Sequence, residues 1–177
     1  MKKILLSSII ILSLCFSGTF YVEMGSAPEF EVGGASQELD SGGLSIGYNH
    51  GFFQKGSWSA SLGASYTLNP ITGIRQPEGF RFQPTNSEVG FLSVYVLPVY
   101  QIGEKFFAWA SIGITKGLYD LDLDYDFENG NTIGYGIHVK CDDVYGIGAG
   151  FTTNTVTLDG DDYDFRRTSI FLTAKIN

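Results

Sequence analysis

The side chains with the most obvious chemistry in this chain are its acids. Asp120, Asp122, Asp124, Asp126 and Glu128 alternate with Leu121, Leu123, Tyr125 and Phe127, and a second acidic group holds Asp159, Asp161, Asp162 and Asp164. Hard cations such as calcium collect several carboxylate oxygens, so Asp120, Asp122, Asp124 and Asp126 are the residues from which a weak divalent-cation site could be built. The run lacks the glycine that an EF-hand loop places after its acids, and charge runs most often face water. The histidines, His50 and His138, are isolated in the sequence, and an isolated histidine is not a catalytic triad. No cofactor-binding motif is present.

These residues need elements to position them, and the elements are strands. In 58–68 every even position is apolar (Trp58, Ala60, Leu62, Ala64, Tyr66, Leu68) and every odd one is small or polar (Ser59, Ser61, Gly63, Ser65, Thr67). Strict alternation is the pattern of a β-strand, whose successive side chains point to opposite faces. A polar face with no charge suits a cramped interior, and an apolar outer face suits lipid, as in a transmembrane barrel strand. The run matches the roughly 9–11 residues that a tilted strand needs to cross a bilayer.

The pattern recurs. Expected strands are 19–25, 43–52, 58–68, 88–100, 106–118, 131–140, 144–156 and 164–177, with a bulge or early end at Pro98. The connections 26–40, 69–87, 119–130 and 157–163 read as long loops, and those between them as tight turns. Pro70, Pro77 and Pro84 keep the second loop out of any ladder. Alternating long loops and short turns belong to outer-membrane barrels, and closure is required because an open sheet edge cannot exist in hydrocarbon. The expected fold is therefore all-β: an eight-stranded antiparallel up-and-down transmembrane β-barrel, with both termini on the short-turn, periplasmic side. Phe52, Phe53, Trp58, Tyr100, Phe106, Phe107, Trp109 and Tyr145 gather beside the turns, where an aromatic girdle would meet the membrane interface.

Composition agrees. The chain has 177 residues, 23 of them glycine, with 15% aromatic and only 17% charged residues, a balance of strands and tight turns. Residues 1–17 read as a signal peptide: Lys2 and Lys3, then an apolar stretch too short to span, then small residues. Residues 18–177 form one barrel domain. Loss of Lys2 and Lys3 would take the formal charge from −8 to −10, which argues against nucleic acid as a partner. Only Cys141 would remain, so no internal disulfide can form.

Together the leader, the alternation, the loop asymmetry and the glycine-rich YGIGAGF of 145–151 make the chain resemble the small eight-stranded outer-membrane barrels of the opacity-protein and OmpX type, along the whole of 18–177. The family usually ends in an aromatic residue that the barrel-assembly machinery reads, whereas this chain ends Lys175-Ile176-Asn177. The resemblance implies a Gram-negative outer-membrane protein without enzymatic activity. Its partners would be outer-membrane lipid, lipopolysaccharide and the assembly machinery, with loops that engage a host or matrix ligand and support the envelope. The alternatives are a lipid A-modifying enzyme or a narrow pore. Some barrels that modify lipid A use a His and a Ser, but here His138 is followed by Val139-Lys140 and His50 by Gly51-Phe52. A pore conflicts with the width of eight strands, which side chains can fill.

Closure would set the first strand beside the eighth. Glu23 and Lys175 would both point inward there, and an unpaired inward charge is costly. We therefore expect a lumen ion pair between Glu23 and Lys175, with Arg167 further up the wall.

Overall fold

A computed structural model describes residues 18–74, 87–119, 129–158 and 161–176. The strands are β1 (Gly18–Val32), β2 (Ala35–Glu38), β3 (Leu44–Lys55), β4 (Trp58–Asn69), β5 (Ile71–Ile74), β6 (Ser87–Gln101), β7 (Phe106–Tyr119), β8 (Asn129–Lys140), β9 (Tyr145–Leu158) and β10 (Asp161–Ile176). All pairings are antiparallel, in the order β10-β9-β8-β7-β6-β4-β3-β1, and β1 returns to β10 to close the barrel. Eight strands are staves. The short β2 and β5 only extend the sheet at one end, on β1 and β6 respectively.

Gly18, Ile176 and the short connections β3–β4, β6–β7 and β8–β9 lie at one end, here the turn end; the other is the loop end. At the β3–β4 turn, Lys55 pairs with Trp58 and Gly56 has φ 58°, as the first central position of a type II′ turn requires.

The outer surface is apolar where water would forbid it. Ile112 is 63% exposed, Ile114 67%, Leu172 61% and Tyr135 60%. They belong to a belt of exposed apolar side chains carried by every stave, far beyond the scattered apolar residues of a soluble surface. Lipid is the solvent such a belt needs. No helix among the described residues is long and apolar enough to cross a membrane.

Three expectations change. Three of the long loops are partly strand: in 69–87, expected to stay out of any ladder, β5 (Ile71–Ile74) follows Pro70 and pairs with β6, and the other two are 26–40 and 157–163. β1 runs on to Val32 and turns at Gly33–Gly34, both with positive φ, so that Ala35 pairs with Val32. β9 and β10 likewise pair up to Leu158 and Asp161, held by Thr155 Oγ1 donating to Asp164 at 2.7 Å and Thr157 Oγ1 donating to Asp162 at 2.8 Å. Pro98 neither bulges β6 nor ends it. The β6–β7 ladder stops at Val96↔Ile112 and resumes at Val99↔Trp109 in the same register, so the break at Leu97 and Pro98 costs two residue pairs rather than a shift. Phe107 and Trp109 leave the girdle: they alternate inward and line the lumen, while Phe52, Phe53, Trp58, Tyr100, Phe106 and Tyr145 stay exposed outside. Phe52 and Phe53 face outward together because the β3–β4 register shifts between Gly51 and Phe53.

Candidate functional site in the barrel lumen

The interior has two unlike parts. At the loop end Phe30, Val32, Leu39, Ile71, Val89, Phe91, Val156, Tyr163 and Phe165 form a buried apolar cluster. Its rings interlock: Phe165 lies 5.0 Å from Phe30 and 5.2 Å from Phe91 between centroids. This plug is built by the stave extensions together with residues from β5 and the segment after β2.

Below the plug the lumen turns polar. Ser93 and Thr115 hydroxyls meet at 2.8 Å across β6 and β7, and Thr67 Oγ1 accepts the Phe91 N–H at 3.0 Å. Tyr95 donates to Asn49 Oδ1 at 3.0 Å, and its oxygen lies 2.7 Å from that of Tyr21. A hydroxyl has one proton, so Tyr21 donates to Tyr95 and Tyr95 to Asn49. Several large inward rings sit over a glycine: a Cβ on Gly47 would strike Tyr21, one on Gly63 Tyr95, and one on Gly148 Phe171. Trp109 covers Gly136 and Gly150 in the same way. Inward glycines therefore make room for neighbouring rings, an arrangement the alternation alone does not reveal.

The buried charges meet at the boundary of these two parts. Arg167 Nη2 lies 3.4 Å from Glu23 Oε2, with side chains 5% and 10% exposed. Arg167 Nη1 also donates to Gly42 O and Ser45 Oγ, both at 3.3 Å. Lys175 is elsewhere. Register sets it across from Thr19, whereas Glu23 faces Phe171; four residues of strand separate the two levels by about 13 Å. Of the expected group Glu23, Lys175 and Arg167, the structure pairs Glu23 with Arg167 and leaves Lys175 apart, because strand pairing rather than the nearness of the strand ends sets the level of each side chain. Lys175 lies instead at the turn-end rim, where its charge helps to hold Asp143 below the usual carboxylate range after the larger effects of the hydrogen bond and charge of Lys140. Lys140 Nζ is 2.8 Å from Asp143. Asp142 is also depressed, because its Oδ1 accepts the N–H groups of Tyr145 and Val144 at 2.7 and 2.8 Å.

Of the other candidates, His138 points into the lumen, with Nε2 3.0 Å from Thr173 Oγ1 and its ring stacked on Phe171 at 7°. His50 is exposed on β3, and Cys141 is an exposed free thiol in a turn. Asp120, Asp122, Asp124 and Asp126 lie outside the described residues, as do Arg75, Arg81 and residues 1–17. Among the described residues no three His, Cys, Asp or Glu side chains gather as a metal site.

Between the Arg167 level and the turn-end rim lies a cavity of ≈ 340 Å³. It reaches the rim at Lys140, Asp142, Asp143 and Lys175, and of the plug residues only Phe91 touches it. The lumen is thus closed at the loop end by apolar packing and hollow towards the turn end. That differs from a barrel filled throughout by its own side chains.

No family model and no curated protein matches the sequence. Solved structures do match in fold. The chain superposes on Neisserial surface protein A with a TM-score of 0.56 at 12% identity, over 90% of this chain and 97% of that one. It superposes on Ail, the attachment invasion locus protein of Yersinia pestis, with a TM-score of 0.54 at 13% identity, over 90% and 96%. For Ail in complex with the heparin analogue sucrose octasulfate the TM-score is 0.52 at 12% identity, over 90% and 98%. The fold is that of small eight-stranded outer-membrane barrels.

Proposed function

We propose that the protein is a non-enzymatic outer-membrane barrel of a Gram-negative bacterium, with its termini and tight turns in the periplasm. Its loop end would stand outside the cell, where it meets lipopolysaccharide and a host or matrix ligand and contributes to envelope integrity. The observation that carries the reading is the belt of exposed apolar side chains on a closed barrel, Ile112, Ile114 and Leu172 among them. A soluble barrel would face water there with charge.

The longer connections favour the loop end as the outer face. The loop end also bears many of the acids: Glu29 and Glu31 on β1, Glu38 on β2 and Asp40 after it, and in the sequence of the longest connections Asp120, Asp122, Asp124 and Asp126. Ail is a protein named for attachment and solved with a sulfated sugar. An acidic loop end instead favours a basic ligand, since charge complementarity selects partners. The apolar plug disfavours a steady pore. The placement of His138 inside the lumen, paired with Thr173, disfavours a lipid A enzyme, which would act on a lipid outside the wall.

Cell fractionation with gel mobility before and after boiling tests the reading. The protein should enter the outer-membrane fraction and migrate differently when unboiled, because closed ladders resist unfolding. Recovery as a soluble periplasmic protein without a shift would refute it. Protease added to intact cells should cut near Arg75 or Arg81 and spare Lys105; cutting only after the outer membrane is broken would invert the topology.

A further inference from the structure

The cavity below the plug has two chemically different walls. Phe107, Trp109, His138 and Phe171 present rings from β7, β8 and β10, with Leu97 beside them. On the other side β1, β3 and β4 offer Thr19, Asn49, Ser59 and Ser61. The ring wall is consolidated internally: Trp109 and Phe171 meet edge to face at 5.6 Å, and His138 stacks on Phe171. The hydroxyl wall is made of small side chains, Thr19, Ser59 and Ser61, beside Asn49, whose Oδ1 accepts from Tyr95.

Charge is balanced around it. Glu23 is matched by Arg167 at the inner end, and Lys140 by Asp143 at the rim. Trp109 Nε1 and Arg167 Nε, on residues that line the cavity, find no acceptor among the described residues, although both atoms are themselves buried away from its open space. Buried donors are normally satisfied. At ≈ 340 Å³ the space falls within the range of small-molecule sites.

We propose that the lower lumen is a binding pocket, entered from the turn end, for a small neutral saccharide of one or two rings. A sugar ring has an apolar C–H face and a polar hydroxyl edge. The first matches Phe107, Trp109 and Phe171, and the second matches Asn49, Ser59 and Ser61. Balanced charge favours a neutral ligand over an ion, and the plug restricts entry to the turn end. The pocket depends on the barrel alone, so binding in micelles can be read whichever way the protein sits in its membrane.

Cellobiose is the probe. In the purified barrel in zwitterionic micelles, Trp58→Phe leaves Trp109 as the single tryptophan. Its emission should change saturably with cellobiose and stay unchanged with phosphate or choline. Ser61→Phe, which fills the cavity, should abolish the response. Because that variant can fail to fold, Ser61→Cys with Cys141→Ser supplies a near-isosteric second test. A maleimide should label the cysteine, and cellobiose at ten times its half-saturating concentration should slow labelling about tenfold. No response to cellobiose, a response only to phosphate or choline, or labelling unaffected by cellobiose would each overturn the proposal.

Discussion

Above the membrane this barrel is built inside out relative to its membrane part. In the lower staves the inner face is polar and the outer face apolar: on β1, Glu23 is buried while Val22 and Met24 are exposed. In the upper part Phe30 and Val32 are buried inside, and Glu29 stands exposed outside. Each arrangement follows from its solvent. Lipid accepts apolar side chains and leaves the polar ones to the lumen; water reverses the preference and gives the loop end an ordinary apolar core. On β1 the exchange is made by a register shift between Ser26 and Glu29, where two extra residues, Ala27 and Pro28, face the single Arg167. One net residue flips the face of everything beyond it. Before the shift odd positions point inward, and after it even ones do. Ala27, at φ 43°, carries the irregular backbone.

If the lower part depends on interlocked glycines and rings, crowding one glycine should be the most damaging change of all. A Cβ at Gly136 would strike the Ala149 carbonyl oxygen and lie 2.6 Å from the Gly150 Cα. Both are backbone atoms that cannot swing away. Gly136→Val should yield no heat-shifted form on refolding. Gly103→Ala, in a turn with nothing within 4 Å, should refold as the parent does. A normal mobility shift for Gly136→Val would show that the staves can slide apart to make room.

The plug should behave as an ordinary core. Phe165→Ala removes a ring packed on Phe30 and Phe91 and should cost about 3–5 kcal/mol, read from urea unfolding in micelles. The Trp109 emission of the folded barrel should not change, since Phe165 does not touch the lower cavity. A shifted emission would mean that the two parts are one mechanical unit.

At the boundary, Arg167→Met strands Glu23. The loss should be about 3 kcal/mol, the lower part of the usual range for breaking a buried pair, because Glu23 borders the cavity and can be rehydrated from below. Adding Glu23→Gln should return much of it. Glu23→Gln and Lys175→Met should instead add independently, within about 0.3–0.5 kcal/mol; strong coupling there would contradict the register.

What the sequence disclosed, and what it hid, follows the same division. The lower staves were legible because lipid imposes a simple pattern, clearest in Ser59–Leu62–Ser65, with the apolar position facing out. The upper extensions looked like loops because Glu29, Glu31, Asp162 and Asp164 resemble solvated linker acids. Yet Phe30, Val32, Tyr163 and Phe165 alternate with them throughout. The alternation was present with its sense reversed. Trp109 stands near a turn, as a girdle residue would, but its odd position places it with Ser111 and Gly113 on the inner face. That Glu23 meets Arg167 and not Lys175 follows from the pairing register, which no local pattern contains.

The smallest effect belongs to the rim, where polar groups meet water. Asp142 organises the β8–β9 turn by accepting the N–H groups of Val144 and Tyr145, the role of an Asx turn. Those bonds hold its carboxyl below the usual range. A depressed folded-state value means that the stabilisation is full above the unfolded value, near about 4, and disappears as pH falls through the lower folded one. Asp142→Ala should therefore be slightly less stable than the parent at neutral pH, and the gap between the two thermal unfolding curves should close as pH falls below the unfolded carboxylate value and through the lower folded one. Asp142→Asn keeps the acceptor oxygen but cannot titrate, so it should stay near the parent at neutral pH and lose the acid-dependent part. The side chain is fully exposed, so the whole effect belongs to the turn and should leave the plug untouched. A gap between parent and Asp142→Ala that persists unchanged in acid would assign the stabilisation to something other than the carboxylate, such as lost packing in the turn.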